Sequence, residues 1–123
     1  MAIPSKKTRK LAEFRLLALR NGFKIETTSL KKKFKNYMPG MEIYSLKNLS
    51  SFKQGHFING EFGWELYDPI TLKHSSNFEL QIKKINEIDK PILEIIFFES
   101  NIAFLWKENE DLEILKNIKS VLN

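Results

Sequence analysis

The order of apolar and polar positions predicts a helix at the start of the chain. Between Lys6 and Arg20, apolar residues recur every three or four positions, and Leu11, Phe14 and Ala18 share one stripe. Gly22 follows the predicted helix at a position where glycine commonly ends a helix by adopting the left-handed conformation. The stripe is widened by Leu16, Leu17 and Leu19. We therefore expect this helix to be largely buried.

A basic segment follows a short predicted strand at residues 23–28. Leu30, Phe34 and Tyr37 are spaced four and three residues apart, with lysines between them. This spacing predicts a short basic amphipathic helix that ends at Pro39-Gly40.

From residue 41 onward the pattern is mainly that of strands. Candidate strands cover residues 41–46, 52–58, 61–68, 77–84, 92–98 and 102–106. Asn59-Gly60 predicts a hairpin turn, and the apolar run 92–98 suits a central strand. A last helix is expected at 110–122, capped by Asn109. Clustered strands indicate one α+β domain over residues 1–123, a mostly antiparallel sheet with an N-terminal helix, a short basic helix and a C-terminal helix packed on it.

Composition narrows the class of protein. A chain of 123 residues with 42% hydrophobic content can bury a real core. The absence of cysteine excludes disulfides and thiolate metal sites, and it fits a reducing compartment. No apolar run reaches the roughly 18 residues of a membrane-spanning helix, and the N-terminus lacks the apolar core of a signal peptide. We expect a cytoplasmic protein without a membrane partner.

Charge is distributed unevenly along the chain. Residues 1–55 contain 13 Lys and Arg against 3 Asp and Glu, whereas residues 56–123 contain 7 against 12. A basic half is typical of proteins with a phosphate-rich or acidic partner. The alternative is a dipolar surface without a partner.

The lysine-rich segment is the strongest candidate for binding. Its lysines and those of the N-terminal arm could follow a phosphate backbone, with salt-dependent affinity, while Tyr37 and other aromatic side chains could stack on bases. The alternative is that Phe34 and Tyr37 only anchor the segment to the core. The candidate interface consists of Lys6, Lys7, Arg9, Lys10, Lys31, Lys32, Lys33, Lys35 and Tyr37.

Signatures of catalysis and of cofactor binding are scarce. The chain has no glycine-rich phosphate loop, no nucleophile elbow and no paired-histidine metalloprotease helix, so we expect no cofactor. Its two histidines, His56 and His74, are expected in a hairpin and in a loop. Arg15 falls within the apolar arc of the first helix, where a structural salt bridge to a strand carboxylate is expected in place of a ligand contact.

One carboxylate pattern resembles the metal site of restriction-endonuclease-like nucleases. That family places an acid on one strand and an acid-x-lysine pair on the next, to bind magnesium and activate water. The resemblance spans residues 6–98, but Gln81 stands at the lysine position and no proline precedes the first acid. The residues that it implies are Glu13, Asp68, Glu79, Gln81 and Lys83.

Three functions therefore remain open. The first is a non-catalytic binding module for a polyanion, above all nucleic acid, that uses the basic half of the chain. The second is a small protein-binding regulator, such as an immunity protein, an antitoxin or a phage-type inhibitor, whose partner offers an acidic surface or a nucleic-acid-binding cleft. The third is the magnesium-dependent nuclease. No metal site and no small-molecule cofactor are assigned beyond that last alternative.

Overall fold

The α+β architecture is confirmed by a computed structural model, which describes residues 6–26, 29–89 and 91–123, with the side chains of residues 6–8 left out. The described residues form three α-helices and one six-stranded sheet. The elements are α1 (Lys6–Arg20), β1 (Phe23–Glu26), β2 (Glu42–Lys47), β3 (Gly55–Gly60), β4 (Gly63–Asp68), α2 (Phe78–Ile85), β5 (Ile92–Phe97), β6 (Asn101–Trp106) and α3 (Leu112–Leu122). Two 3₁₀ turns cover Lys31–Lys33 and Ile70–His74.

The sheet is antiparallel throughout and has the order β1-β2-β6-β5-β3-β4. The two strands with the longest apolar runs, β5 and β6, lie at its centre and form the hairpin that the sequence predicts. Their burial on both faces explains why their sequences do not alternate between apolar and polar residues.

The first face of the sheet carries the larger core. Ile95 and Phe104 point into it and meet Phe14 of α1, Ile85 of α2 and Leu115 of α3. All three α-helices therefore pack on this one face. None of the helices in the described ranges is both long enough and apolar enough to cross a bilayer.

The second face is covered by residues 29–41, which we call the strap. Phe34 is 5% exposed and packs there with Ile96, Ala103 and Leu105. The short basic helix expected in this segment is present only as a three-residue 3₁₀ turn. Only the turn Lys31–Lys33 is helical, and Phe34 is already extended, with φ −89° and ψ 133°. A helix this short has little stability by itself. The backbone N–H groups of Lys35 and Asn36 donate to the buried Glu94 side chain of the sheet and do not form helical hydrogen bonds.

The strand expected at residues 77–84 is wrong, because Phe78–Ile85 forms α2. Phe78 and Ile82 fit helical spacing as well as the alternation, and both pack against the core. Leu80, which the alternation places inside, is 52% exposed, whereas Gln81 is 2% exposed. The Gln81 amide donates to the carbonyl of Gln54 at 3.1 Å, which accounts for a polar side chain on the inner face of the helix.

Two predicted features, a turn and a helix N-cap, lie two residues further along the chain than the sequence predicts. The β3–β4 turn consists of Glu61–Phe62 and not of Asn59–Gly60, because Gly63 supplies the left-handed backbone, with φ 115°. At α3 the N-cap is Asp111 and not Asn109, since the Asp111 carboxylate accepts from the N–H of Glu113 at 3.0 Å.

The prediction that α1 is largely buried holds for only one side of the helix. Phe14 and Ala18 are buried, but Leu16, Leu17 and Leu19 are 50%, 41% and 51% exposed. The helix packs on the edge strand β1 and on α3, which cover only its narrow stripe. An apolar side of α1 therefore faces solvent.

Candidate functional site

The strap is attached to the sheet through one buried carboxylate. Glu94 of β5 is 0% exposed, and its Oε1 and Oε2 accept the backbone N–H groups of Lys35 at 3.0 Å and Asn36 at 2.6 Å. Its Oε1 also lies 2.6 Å from Nε2 of His56 on β3. A buried carboxylate destabilises the fold unless it is hydrogen-bonded, and these three contacts satisfy it. The two contacts to Lys35 and Asn36 fix the strap at this point of the sheet.

Glu94 was missed by sequence reasoning, and His56 was assigned no partner. The available signal was a single charged residue within the apolar run of β5. A bulge between Ile92 and Glu94 gives β5 an extra residue here, and Glu94 then pairs with Leu105, a residue of the second face. The run thus contains a carboxylate that points toward the strap.

Three strap lysines lie over aromatic rings. Their stems can cover apolar surface while the ammonium groups stay in water, and the rings attract the charge. Among the described residues, no carboxylate lies within salt-bridge distance of a strap lysine. The three nitrogen-to-centroid distances are Lys31 to Tyr37 5.1 Å, Lys33 to Phe98 5.5 Å and Lys35 to Tyr67 5.0 Å.

A cleft of about 490 Å³ opens between the strap and the edge of the sheet. Its floor is β3 with His56, which is 8% exposed, and its walls include Phe98 on one side and Tyr67 with Asp68 on the other. Tyr67 is 47% exposed, and its ring lies edge-on to His56 with centroids 4.9 Å apart. Lys33 lines the cleft from the strap.

The described side chains of the N-terminal basic cluster, Arg9 and Lys10, do not join the strap in one surface. They belong to α1, which lies on the first face of the sheet, whereas the strap lies on the second. The exposed side chains of Arg9 and Lys10 are therefore separated from the strap lysines by the sheet. The side chains of Lys6 and Lys7 are outside the described part of the structure.

The strand pair on which the nuclease resemblance depends is not formed. Asp68 ends β4, but Glu79 and Lys83 are exposed on α2, and the Gln81 side chain points into the core. Glu13 is exposed on α1. Over the described ranges, no three His, Asp or Glu side chains are grouped so that they could hold a metal ion. His74 is exposed in a 3₁₀ turn.

Arg15 has a structural role, as expected. Its Nε and Nη2 donate to Glu108 at 2.8 and 2.7 Å, and Nη2 lies 3.6 Å from Glu42 of β2. The buried Tyr44 hydroxyl donates to Glu108 as well. The hydrogen bonds to Glu108 raise the pKa of Arg15, and burial, followed by the hydrogen bond to Glu108, raises the pKa of Tyr44. This cluster joins α1 to the sheet.

Comparison with known proteins gave no matching family model, no matching curated protein and no matching solved structure.

Proposed function

We propose that the protein is a non-catalytic module that binds nucleic acid through the strap. The observation that carries the proposal is the set of strap lysines, which lack carboxylate partners among the described residues. Three of them lie over aromatic rings, of which Tyr67 is 47% exposed. Lysines neutralise phosphates and release counterions, while aromatic rings stack on bases. The proposal includes the cytoplasmic location expected from the sequence.

Rigidity of the strap supports this proposal. Phe34 anchors its middle in the second core, and Glu94 holds the next two backbone N–H groups. The lysines are thus presented from a fixed backbone, so that less conformational entropy is lost when a ligand binds. Arg9 and Lys10 on α1 add to the general attraction of the protein for polyanions but belong to a different surface.

The proposal is tested by the affinity for labelled oligonucleotides, measured by fluorescence anisotropy as the salt concentration rises. If the strap lysines contact phosphates, the logarithm of the association constant falls linearly with the logarithm of salt, by about 0.9 for each phosphate contacted in duplex DNA and about 0.7 in a single strand. A protein that shows no binding to DNA or RNA at about 50 mM salt would exclude the proposal.

A second candidate, a protein-binding regulator, is favoured by the exposed leucines of α1. Leu16 and Leu19 are each about half exposed on the same helix, and a solvent-facing apolar side is typical of protein interaction surfaces. In that case Leu16→Gln with Leu19→Gln would abolish capture of a single protein partner, and that capture would not respond to salt. Capture that survives the double substitution would remove this candidate.

A further inference from the structure

The cleft beside the strap has the size and the lining of a site for an aromatic ligand. Its volume of about 490 Å³ lies within the range of small-molecule pockets. Tyr67 and Phe98 provide apolar walls on opposite sides of β3, which is the middle strand of β5-β3-β4. The two aromatic side chains therefore favour a ligand that is itself aromatic.

Positive charge lies next to the same walls. The Lys35 ammonium is 5.0 Å from the centre of the Tyr67 ring, and the Lys33 ammonium is 5.5 Å from that of Phe98. A nucleotide combines an aromatic base with an adjacent phosphate, so one nucleotide could use both the ring and the lysine beside it. From this pairing we infer that the cleft binds an unpaired base of a single-stranded nucleic acid, with the adjoining phosphates on the strap. This inference rests on the proposed function and deepens it.

The polar groups of the cleft favour one orientation of such a ligand. Asp68 lines the cleft next to Tyr67, where its carboxylate repels phosphate but accepts hydrogen bonds from the amino groups of bases. His56 forms the floor, and Nε2 is engaged by Glu94. The base enters the cleft, and the phosphates remain on the side of the lysines.

A base within duplex nucleic acid is not free to enter the cleft. In a duplex both faces of a base are stacked and its pairing edge is occupied, so a base reaches a pocket only after it is flipped out of the helix. Unpaired bases are free to stack on aromatic side chains and to use their edges. The cleft therefore discriminates in favour of single strands, whereas phosphate contacts alone would not.

The test uses fluorescence anisotropy with four labelled probes of about 12 nucleotides: single-stranded DNA, single-stranded RNA, duplex DNA and an abasic DNA strand with the same phosphates. We expect the single strands to bind about tenfold more tightly than the abasic strand. Tyr67→Ala should remove this advantage and leave abasic binding unchanged, whereas Tyr67→Phe should retain it.

Phe62→Ala is the matched control, because Phe62 is the most exposed aromatic residue described, at 91%, and lies at the β3–β4 turn outside the cleft. This variant should bind every probe like the unaltered protein. If the abasic strand binds as tightly as the single strands, the inference is overturned and the proposed function stands. If none of the four probes binds, both fail.

Discussion

Glu94 and His56 lie diagonally on the neighbouring strands β5 and β3, with Oε1 and Nε2 2.6 Å apart on the second face of the sheet. The same carboxylate accepts the backbone N–H groups of Lys35 and Asn36. One side chain thus joins the floor of the cleft to the strap that carries the lysines. The position of the strap lysines therefore depends on the buried hydrogen bonds of Glu94.

Glu94→Gln is expected to loosen the strap. The amide retains one acceptor oxygen where the carboxylate has two, so one backbone N–H of the strap loses its partner, at a cost of about 1–3 kcal/mol in the free energy of unfolding. The amide protons of Lys35 and Asn36 should exchange with solvent faster, which NMR hydrogen exchange measures. Glu99→Gln, an exposed substitution in the β5–β6 turn, serves as the control. Unchanged protection of both amides would contradict the role of Glu94.

Tyr44 is expected to make stability fall at alkaline pH. Burial raises the pKa of Tyr44, and the unfolded chain loses this proton near pH 10. Above about pH 10 the unfolded state has released the proton while the folded state keeps it, so the free energy of unfolding decreases by up to about 1.4 kcal/mol per pH unit. Below that pH the contribution is fully present.

The measurement is urea unfolding from about pH 9 to 11 for the unaltered protein and for Tyr44→Phe. The lysines titrate in both proteins, so their effect cancels in the comparison. Only the protein with Tyr44 should show the additional loss. The same pH dependence in both proteins would mean that the buried hydroxyl ionises as readily as an exposed one.

Phe97→Ala tests the larger core. Phe97 is 3% exposed on the central strand β5 and meets Phe52 and Phe57 edge to face, with ring centroids 6.2 and 6.0 Å away. Its truncation leaves a cavity and should lower the free energy of unfolding by about 3–5 kcal/mol. The exposed Phe62→Ala is the control and should change it by less than about 0.5 kcal/mol. A similar effect for both substitutions, measured by urea unfolding, would contradict the placement of Phe97 in the core.

The long elements could be predicted from the sequence because their patterns admit one interpretation. The first helix has the predicted bounds Lys6–Arg20, and the apolar runs of β5 and β6 form the predicted central hairpin. Within Phe78–Ile85, Phe78 and Ile82 fit both periods, whereas the buried Ile85 fits only the helical one. The burial of Gln81 is accompanied by a hydrogen bond to Gln54, a contact between distant residues that a local pattern cannot indicate.

Only part of the candidate site could be identified from the sequence. The strap lysines and their aromatic neighbour Tyr37 stand in one segment, but Glu94 and Tyr67 lie far from it along the chain. Their meeting depends on sheet order and on the bulge in β5. For the same reason the sequence could not show that Arg9 and Lys10 of α1 lie on the opposite face.

The most direct test of nucleic-acid binding by the strap replaces its four lysines together by serine. This variant, with Ser at positions 31, 32, 33 and 35, should keep its fold by circular dichroism, because Phe34 and the backbone contacts to Glu94 remain. The matched control replaces four exposed lysines elsewhere and removes the same charge. The control positions are Lys83, Lys107, Lys116 and Lys119.

The deciding quantity is the association constant for a single-stranded oligonucleotide, measured against salt. The strap variant should lose at least about tenfold in affinity at about 50 mM salt, and its logarithmic salt slope should decrease in magnitude by up to about 3, while the control keeps most of both. An equal loss in the two variants, or unchanged binding by the strap variant, would contradict the account.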